Sequence, residues 1–202
     1  MRDPHVEAVY FSVGSAEDIS YENPEPLDFS NRLGLFSLAD GLLKVIPVED
    51  FCNGLEASQA IDGFLRSWEI EADLKQNLGM IRFSYSHVDV IDRNPPPPGT
   101  LHVVEGAFAS AVAIADCLSI QLTTRRYPPP PGRFSASEFA QYAHRRWIGF
   151  RRGHEPLQAM TYFILTLLER QAGSRNQACA LFKINRAVLD KVGGLCSERG
   201  SA

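Results

Sequence analysis

The 202-residue chain contains no apolar run long enough to cross a bilayer: its charge-free segment 156–168 holds thirteen residues where eighteen or more are needed. That segment reads as a buried helix. The opening Met1-Arg2-Asp3-Pro4-His5-Val6-Glu7 has neither an apolar stretch nor a small-residue cleavage site, which predicts a cytoplasmic address. Cysteine is scarce: Cys52, Cys117, Cys179 and Cys196 form no C-x-x-C pair and have no histidine at zinc-finger spacing, so four reduced thiols are expected. G-x-S-x-G, the P-loop and G-x-G-x-x-G are all missing, which removes the usual markers of serine hydrolases, P-loop NTPases and Rossmann enzymes.

What is present is an ordinary globular composition, 45% hydrophobic and 22% charged, with 13 prolines placed unevenly. Residues 95–99 and 128–132 both read Pro-Pro-Pro-Pro-Gly, each preceded two residues earlier by an arginine, Arg93 or Arg126. Four consecutive prolines lock φ and remove every donor, so each stretch is predicted to be a stiff polyproline connector. Arg125, Pro128 and Pro131 also fit an R-x-x-P-x-x-P ligand, although the spacer reading is preferred. Cutting the chain after Arg133 separates opposite charges: residues 1–133 carry 10 Lys and Arg against 19 Asp and Glu, and residues 134–202 carry 10 against 5. The net formal charges are −9 and +5, an asymmetry that suits an acidic partner, nucleic acid, or docking of the two halves.

Hydrophobic period then assigns the elements. Segments 5–13 and 42–48 are β-branched and bounded by turn formers, so strands are expected. Between Asn53 and Leu78 the spacing of Ile61, Phe64, Leu65, Trp68 and Ala72 predicts a helix, capped by Asn53 with Glu56 and ended at Gly79. Segment 80–91 returns to period two. Residues 107–115 are alanine-rich and read as a helix, and 118–124 alternates as a strand would.

After the second proline stretch, helices are expected throughout. Ser135 with Glu138 reads as a capping box, and Pro156 as the first position of a helix closed by Gly173, whose Leu157, Met160, Phe163, Ile164, Leu167 and Leu168 demand a central place. Ser174 and Gln177 open a short helix to Phe182, and Asn185 caps another from Arg186 to Val192. This is a helix-turn-helix outline, although Lys183 stands where such motifs prefer glycine. Arg175, Lys183, Asn185, Arg186 and Lys191 would be its phosphate and base contacts. Proteins that never touch DNA also use such helix pairs.

Three residues are weak candidate metal ligands: His87 and Asp89 on one strand face, with His102 soon after, at a spacing that matches no established ligand motif. Arg82 and His87 fit R-x4-H, but that signature needs a helix and these two fall on a predicted strand. His144 and His154 are read as caps or interdomain contacts. Glu155 and Glu169, at the two ends of a helix, are about 21 Å apart at 1.5 Å per residue, too far to share a reaction centre, and Glu155 suits the helix dipole.

The segment Arg152-Gly153-His154-Glu155-Pro156-Leu157-Gln158-Ala159-Met160-Thr161-Tyr162-Phe163, the turn Gly173-Ser174-Arg175, the tail Ser197-Glu198-Arg199-Gly200 and the upstream D-R-N-P-P-P-P-G resemble a group of uncharacterised bacterial proteins that share an E-P-L-x-x-M-x-Y-F helix. The resemblance implies no activity and carries over no functional residue. The expected fold is α+β: a small mixed strand/helix N-terminal domain over 1–133, then an all-helical C-terminal bundle over 134–202 with a helix-turn-helix-like end. The expected function is a non-catalytic binding or regulatory module in the cytoplasm, without cofactor or membrane, acting through another protein or self-association. Nucleic-acid binding by the helix pair is the alternative, and a metal-dependent hydrolase or nuclease at His87, Asp89 and His102 the second.

Overall fold

The computed structural model describes residues 3–93 and 122–197. The chain divides into two compact units, Met1–Ser135 and Ala136–Ala202.

The first unit is built on strands β1 (His5–Gly14), β2 (Ile19–Glu25), β3 (Leu27–Asn31), β4 (Gly34–Ala39), β5 (Leu42–Pro47), β6 (Arg82–Ile91) and β7 (Leu122–Arg126), with helix α1 (Gly54–Lys75) between β5 and β6. Five strands form one sheet in the order β3-β4-β5-β1-β6, every neighbouring pair antiparallel, while β2 and β7 pair in parallel as a separate ribbon. Because side chains alternate along a strand, the register sorts whole rows to one face or the other. Phe29, Phe36, Val45, Val9 and Val88 lie opposite one another across the five strands, and so do Leu27, Leu38, Leu43, Phe11 and Tyr85. Apart from exposed Tyr85, these rows meet Ala57, Ile61, Leu65, Trp68 and Ala72 of α1 to make the core. Gly34 permits the close approach of β4 to β5, since a Cβ there would collide with the Ile46 carbonyl.

Local signals start α1 as expected: Asn53 accepts a hydrogen bond from the Glu56 N–H at 2.9 Å. Its far half is fixed to β6 by buried carboxylates. Asp73 accepts from the Gly79 N–H at 2.7 Å and from Arg82, and Glu69 accepts from the Phe83 N–H at 2.7 Å and from Arg66.

The proline segment after β7 behaves differently from its sequence reading. Tyr127, Pro128 and Pro131 are buried, and the Pro128 carbonyl accepts the Trp68 indole N–H at 3.0 Å. A free spacer is therefore excluded here. The same burial withdraws the R-x-x-P-x-x-P ligand, because a recognition domain needs both prolines exposed. The physical reason is that proline rings are apolar and their carbonyls are strong acceptors, so a rod beside a tryptophan lacking a partner for its N–H packs against it. The first proline stretch and the helix expected at 107–115 lie outside the described residues.

The second unit contains α2 (Glu138–Arg151), α3 (Leu157–Ala172), α4 (Arg175–Phe182) and α5 (Arg186–Ser197). Ser137, not Ser135, caps α2 by accepting from the Ala140 N–H, and Pro156 is the cap of α3, one position before its first helical residue. Gly173 ends α3 in the left-handed region, and Ser174 caps α4 through the Gln177 N–H. α3 packs against α2, α4 and α5, yet it buries only Met160 and Leu165, and Leu157 and Tyr162 are exposed.

The expected fold class thus needs correction at both ends, although mixed α+β holds. In place of a small mixed strand/helix domain there is a five-stranded antiparallel sheet with a separate parallel ribbon. The C-terminal region is not a pure bundle: α2 has no buried residue, and the buried cluster that joins its other helices is only Leu165, Ala178 and Leu189. Helices this short, two of them 8 and 12 residues, cannot align enough apolar positions for a continuous bundle core.

Candidate functional site

The face of the sheet opposite α1 carries the other set of alternating residues. Asp28 of β3, Ser37 of β4, Lys44 of β5, Tyr10 of β1 and His87 of β6 lie in one unbroken row across all five strands. Beside them Ser30 pairs with Leu35 and Leu35 with Ile46. A shallow cavity of about 400 Å³ opens among Asp28, Ser30, Leu35, Ser37, Lys44 and Ile46. Leu35 is 56% exposed and Ile46 40%, large values for aliphatic side chains in the interior of a sheet.

Tyr10 organises the other half of this face. Its ring stacks on His87 with centroids 4.2 Å apart and planes 9° from parallel, and its hydroxyl donates to Asp89 Oδ2 at 2.9 Å. Lys44 Nζ stands 5.7 Å from the centre of the same ring. Period two correctly places His87 and Asp89 on one face. Periodicity along β6 could not reveal Tyr10, whose position between them depends on β1–β6 register and on two register shifts in that pair, at Val6/Ala8 and Tyr10/Phe11. His87 Nδ1 lies 3.0 Å from Ser86 Oγ. His102 lies outside the described residues, and among those described no cluster of His, Cys, Asp and Glu has the proximity to hold a metal ion.

The helix pair α4–α5 turns as its sequence suggests. Lys183 adopts the left-handed conformation at φ 54°, the backbone for which helix-turn-helix motifs prefer glycine, and Asn185 accepts from the Ala187 N–H at 2.9 Å. Two of the five residues expected to contact nucleic acid have acidic partners within the unit. Arg175 pairs with Glu169 and, at 3.1 Å, with Asp190, and Arg186 holds both oxygens of Asp190 at 2.9 Å while also bonding Asn176. Hydrogen bonds from Arg186 and then Arg175 hold the Asp190 carboxyl below its ordinary pKa, so the carboxylate stays charged in the middle of the face. Lys183 and Lys191 are exposed.

Two further ionisable candidates have partners within the second unit. Glu155 pairs with Arg146 of α2 rather than serving only the dipole of α3, and His144 lies against Trp147 with centroids 5.6 Å apart. Cys52, Cys179 and Cys196 are free thiols. Among the described residues no helix is long and apolar enough to cross a membrane. Comparison with protein-family models, curated proteins and solved structures found no match.

Proposed function

We propose that this chain is a non-catalytic binding or regulatory module of the cytoplasm that acts through protein–protein contacts, and that the partner its sheet fits is a second copy of itself. The observation that carries this reading is the outer face of β3, β4 and β5, where exposed Leu35 and Ile46 lie beside a row that carries Asp28 on β3 and Lys44 on β5. Asp28 and Lys44 stand two strands apart in the same row, roughly 10 Å at the usual strand spacing. A two-fold axis through the cavity brings each copy's Asp28 to its partner's Lys44 and buries both aliphatic pairs. Such a surface is self-complementary, as an isologous interface requires.

The enzyme alternative has less support, because Tyr10 engages both His87 and Asp89 on the described face. Nucleic-acid binding by α4–α5 is weakened by the pairing of Arg175 and Arg186 with Asp190.

Sedimentation equilibrium of the full chain over about 1 to 100 µM tests the proposal, a range that brackets associations of about −6 to −8 kcal/mol. A dimer is expected, weakened at least about tenfold by Lys44→Glu, or about 1.4 kcal/mol. Adding Asp28→Lys to that variant restores opposite charges and is expected to recover the dimer. A monomer at every concentration, or a dimer indifferent to both changes and to Leu35→Asp, would overturn the reading.

A further inference from the structure

The net positive charge of the second unit does not sit where the helix-turn-helix outline expects it. Among the described residues of this unit, Glu155 is held by Arg146, Glu169 by Arg175, and Asp190 by Arg175 and Arg186. Glu138 lies in the first turn of α2, about 10 Å along the axis from Arg145 at 1.5 Å per residue. Three arginines without a carboxylate partner among the described residues remain together at the C-terminal half of that helix: Arg145, Arg151 and Arg152, all exposed.

Aromatic rings flank them. At 100° per residue, Arg151, Arg152 and Arg145 fall within an arc of about 120° opposite Phe139 and Arg146, with Trp147 and Tyr142 beyond its two edges. Phe139 and Arg146 face inward: Phe139 stacks on Phe182 at 5.6 Å, and the Arg146 guanidinium lies 4.7 Å from the Phe163 ring centre. At one edge of this arc the Arg145 guanidinium lies 5.7 Å from the Tyr142 ring centre, and at the other that of Arg151 lies 5.6 Å from the Trp147 ring centre. Tyr142 is 51% exposed. The helix dipole accounts for cations at a C-terminus, and so for Arg151 and Arg152, but not for Arg145 in the helix body or for a half-exposed tyrosine next to it.

We infer that this outward face of α2 binds single-stranded nucleic acid. Phosphates need cations that no carboxylate already neutralises, and unpaired bases need flat rings or guanidinium planes to stack on. α2 supplies both within three turns. The rigid major-groove reading of a duplex has no role here, because the α4–α5 pair that would provide it directs Asp190 at its own arginines. The inference concerns a surface different from the sheet face proposed for self-association, so either can fail alone.

The test uses the full chain and a labelled twenty-nucleotide oligo(dT), followed by fluorescence anisotropy and by tryptophan quenching. Trp147 reports directly on the face, since the chain has 2 tryptophans and Trp68 is fully buried. Binding is expected at low salt, with a log–log salt slope near −2 for three phosphate contacts at about −0.7 each. Replacing Arg145, Arg151 and Arg152 by alanine is expected to weaken binding at least tenfold and flatten the slope, with an unchanged circular dichroism spectrum because these side chains bury nothing. Arg186→Ala is expected to leave the affinity within twofold. Tyr142→Ala is expected to weaken oligo(dT) without changing the slope. No binding, equal binding to a duplex, equal binding to poly-glutamate or anionic vesicles, or loss on Arg186→Ala instead of the α2 triple variant would overturn the inference.

Discussion

Glu69 shows at the scale of one residue how a charged group can be buried in this fold. Its carboxylate, 5% exposed, accepts from the Phe83 backbone N–H and from Arg66, so it joins the middle of α1 to β6. Burial is the largest influence and raises its pKa above the ordinary 4.5, against the opposing pull of Arg66. A carboxyl whose folded pKa is raised binds its proton more tightly in the native state than in the unfolded one. Its contribution is therefore most favourable below the unfolded value and is lost as pH rises through the folded pKa. Glu69→Gln keeps an acceptor for the Phe83 N–H and does not titrate. Urea midpoints measured from acid to neutral pH are expected to fall less steeply in the variant, and a profile parallel to that of the natural chain would remove Glu69 as the cause.

At the scale of elements, the turn between α4 and α5 offers the sharpest contrast between sequence and backbone. Lys183 is held at φ 54°, where a side chain with a Cβ is strained by about 1–2 kcal/mol. Lys183→Gly relieves that strain and returns part of it as unfolded-chain entropy, so a net stabilisation of about 0.5–1 kcal/mol is expected. Thermal unfolding checks it: an unchanged or lowered Tm would mean that the lysine side chain makes a contact worth as much as the strain. Helix caps were legible for the same local reason that this turn was, since Asn53, Ser174 and Asn185 each satisfy an N–H within three positions. Ser137 was missed because Ser135, two positions earlier, has a glutamate at the matching spacing. Strands β3 and β4 were missed because five- and six-residue runs crowded by turn formers give period two little room. The hairpin marker was there nonetheless: Asp40-Gly41, both at positive φ, joins β4 to β5.

For the whole molecule, the buried proline segment changes where the chain opens. Tyr127 packs in the core and its hydroxyl oxygen accepts the Gly41 N–H at 3.0 Å, while the Pro128 carbonyl accepts the Trp68 indole N–H. Brief tryptic digestion is thus expected to cut after exposed Arg133 before it cuts after Arg126, although Arg126 is also exposed, because Tyr127 and Pro128 hold the downstream residues of that bond. Trp68→Phe removes the indole donor and leaves the Pro128 carbonyl unsatisfied, at a cost of about 1–3 kcal/mol. Mass spectrometry of the fragments is then expected to show increased cleavage after Arg126. Equal cleavage at both arginines in the natural chain would contradict the packing.

Features that depend on neighbours a few positions away were legible along the chain: α1 and its cap, the strands at 5–13, 42–48 and 80–91, the short helices near the end and the turn at Lys183. Which side chains meet across long separations depends on how the elements pack. Tyr10 reaches Asp89 across 79 positions and Trp68 reaches Pro128 across 60. The same holds for charge. Arg175 looks free in the sequence and is paired with Asp190, 15 positions on, whereas Arg145 has no carboxylate partner among the described residues. Periodicity tells which face of an element is apolar, but the sheet register and the pairing of ions are set by the contacts between elements, and these select the exposed rows and cations available to a partner.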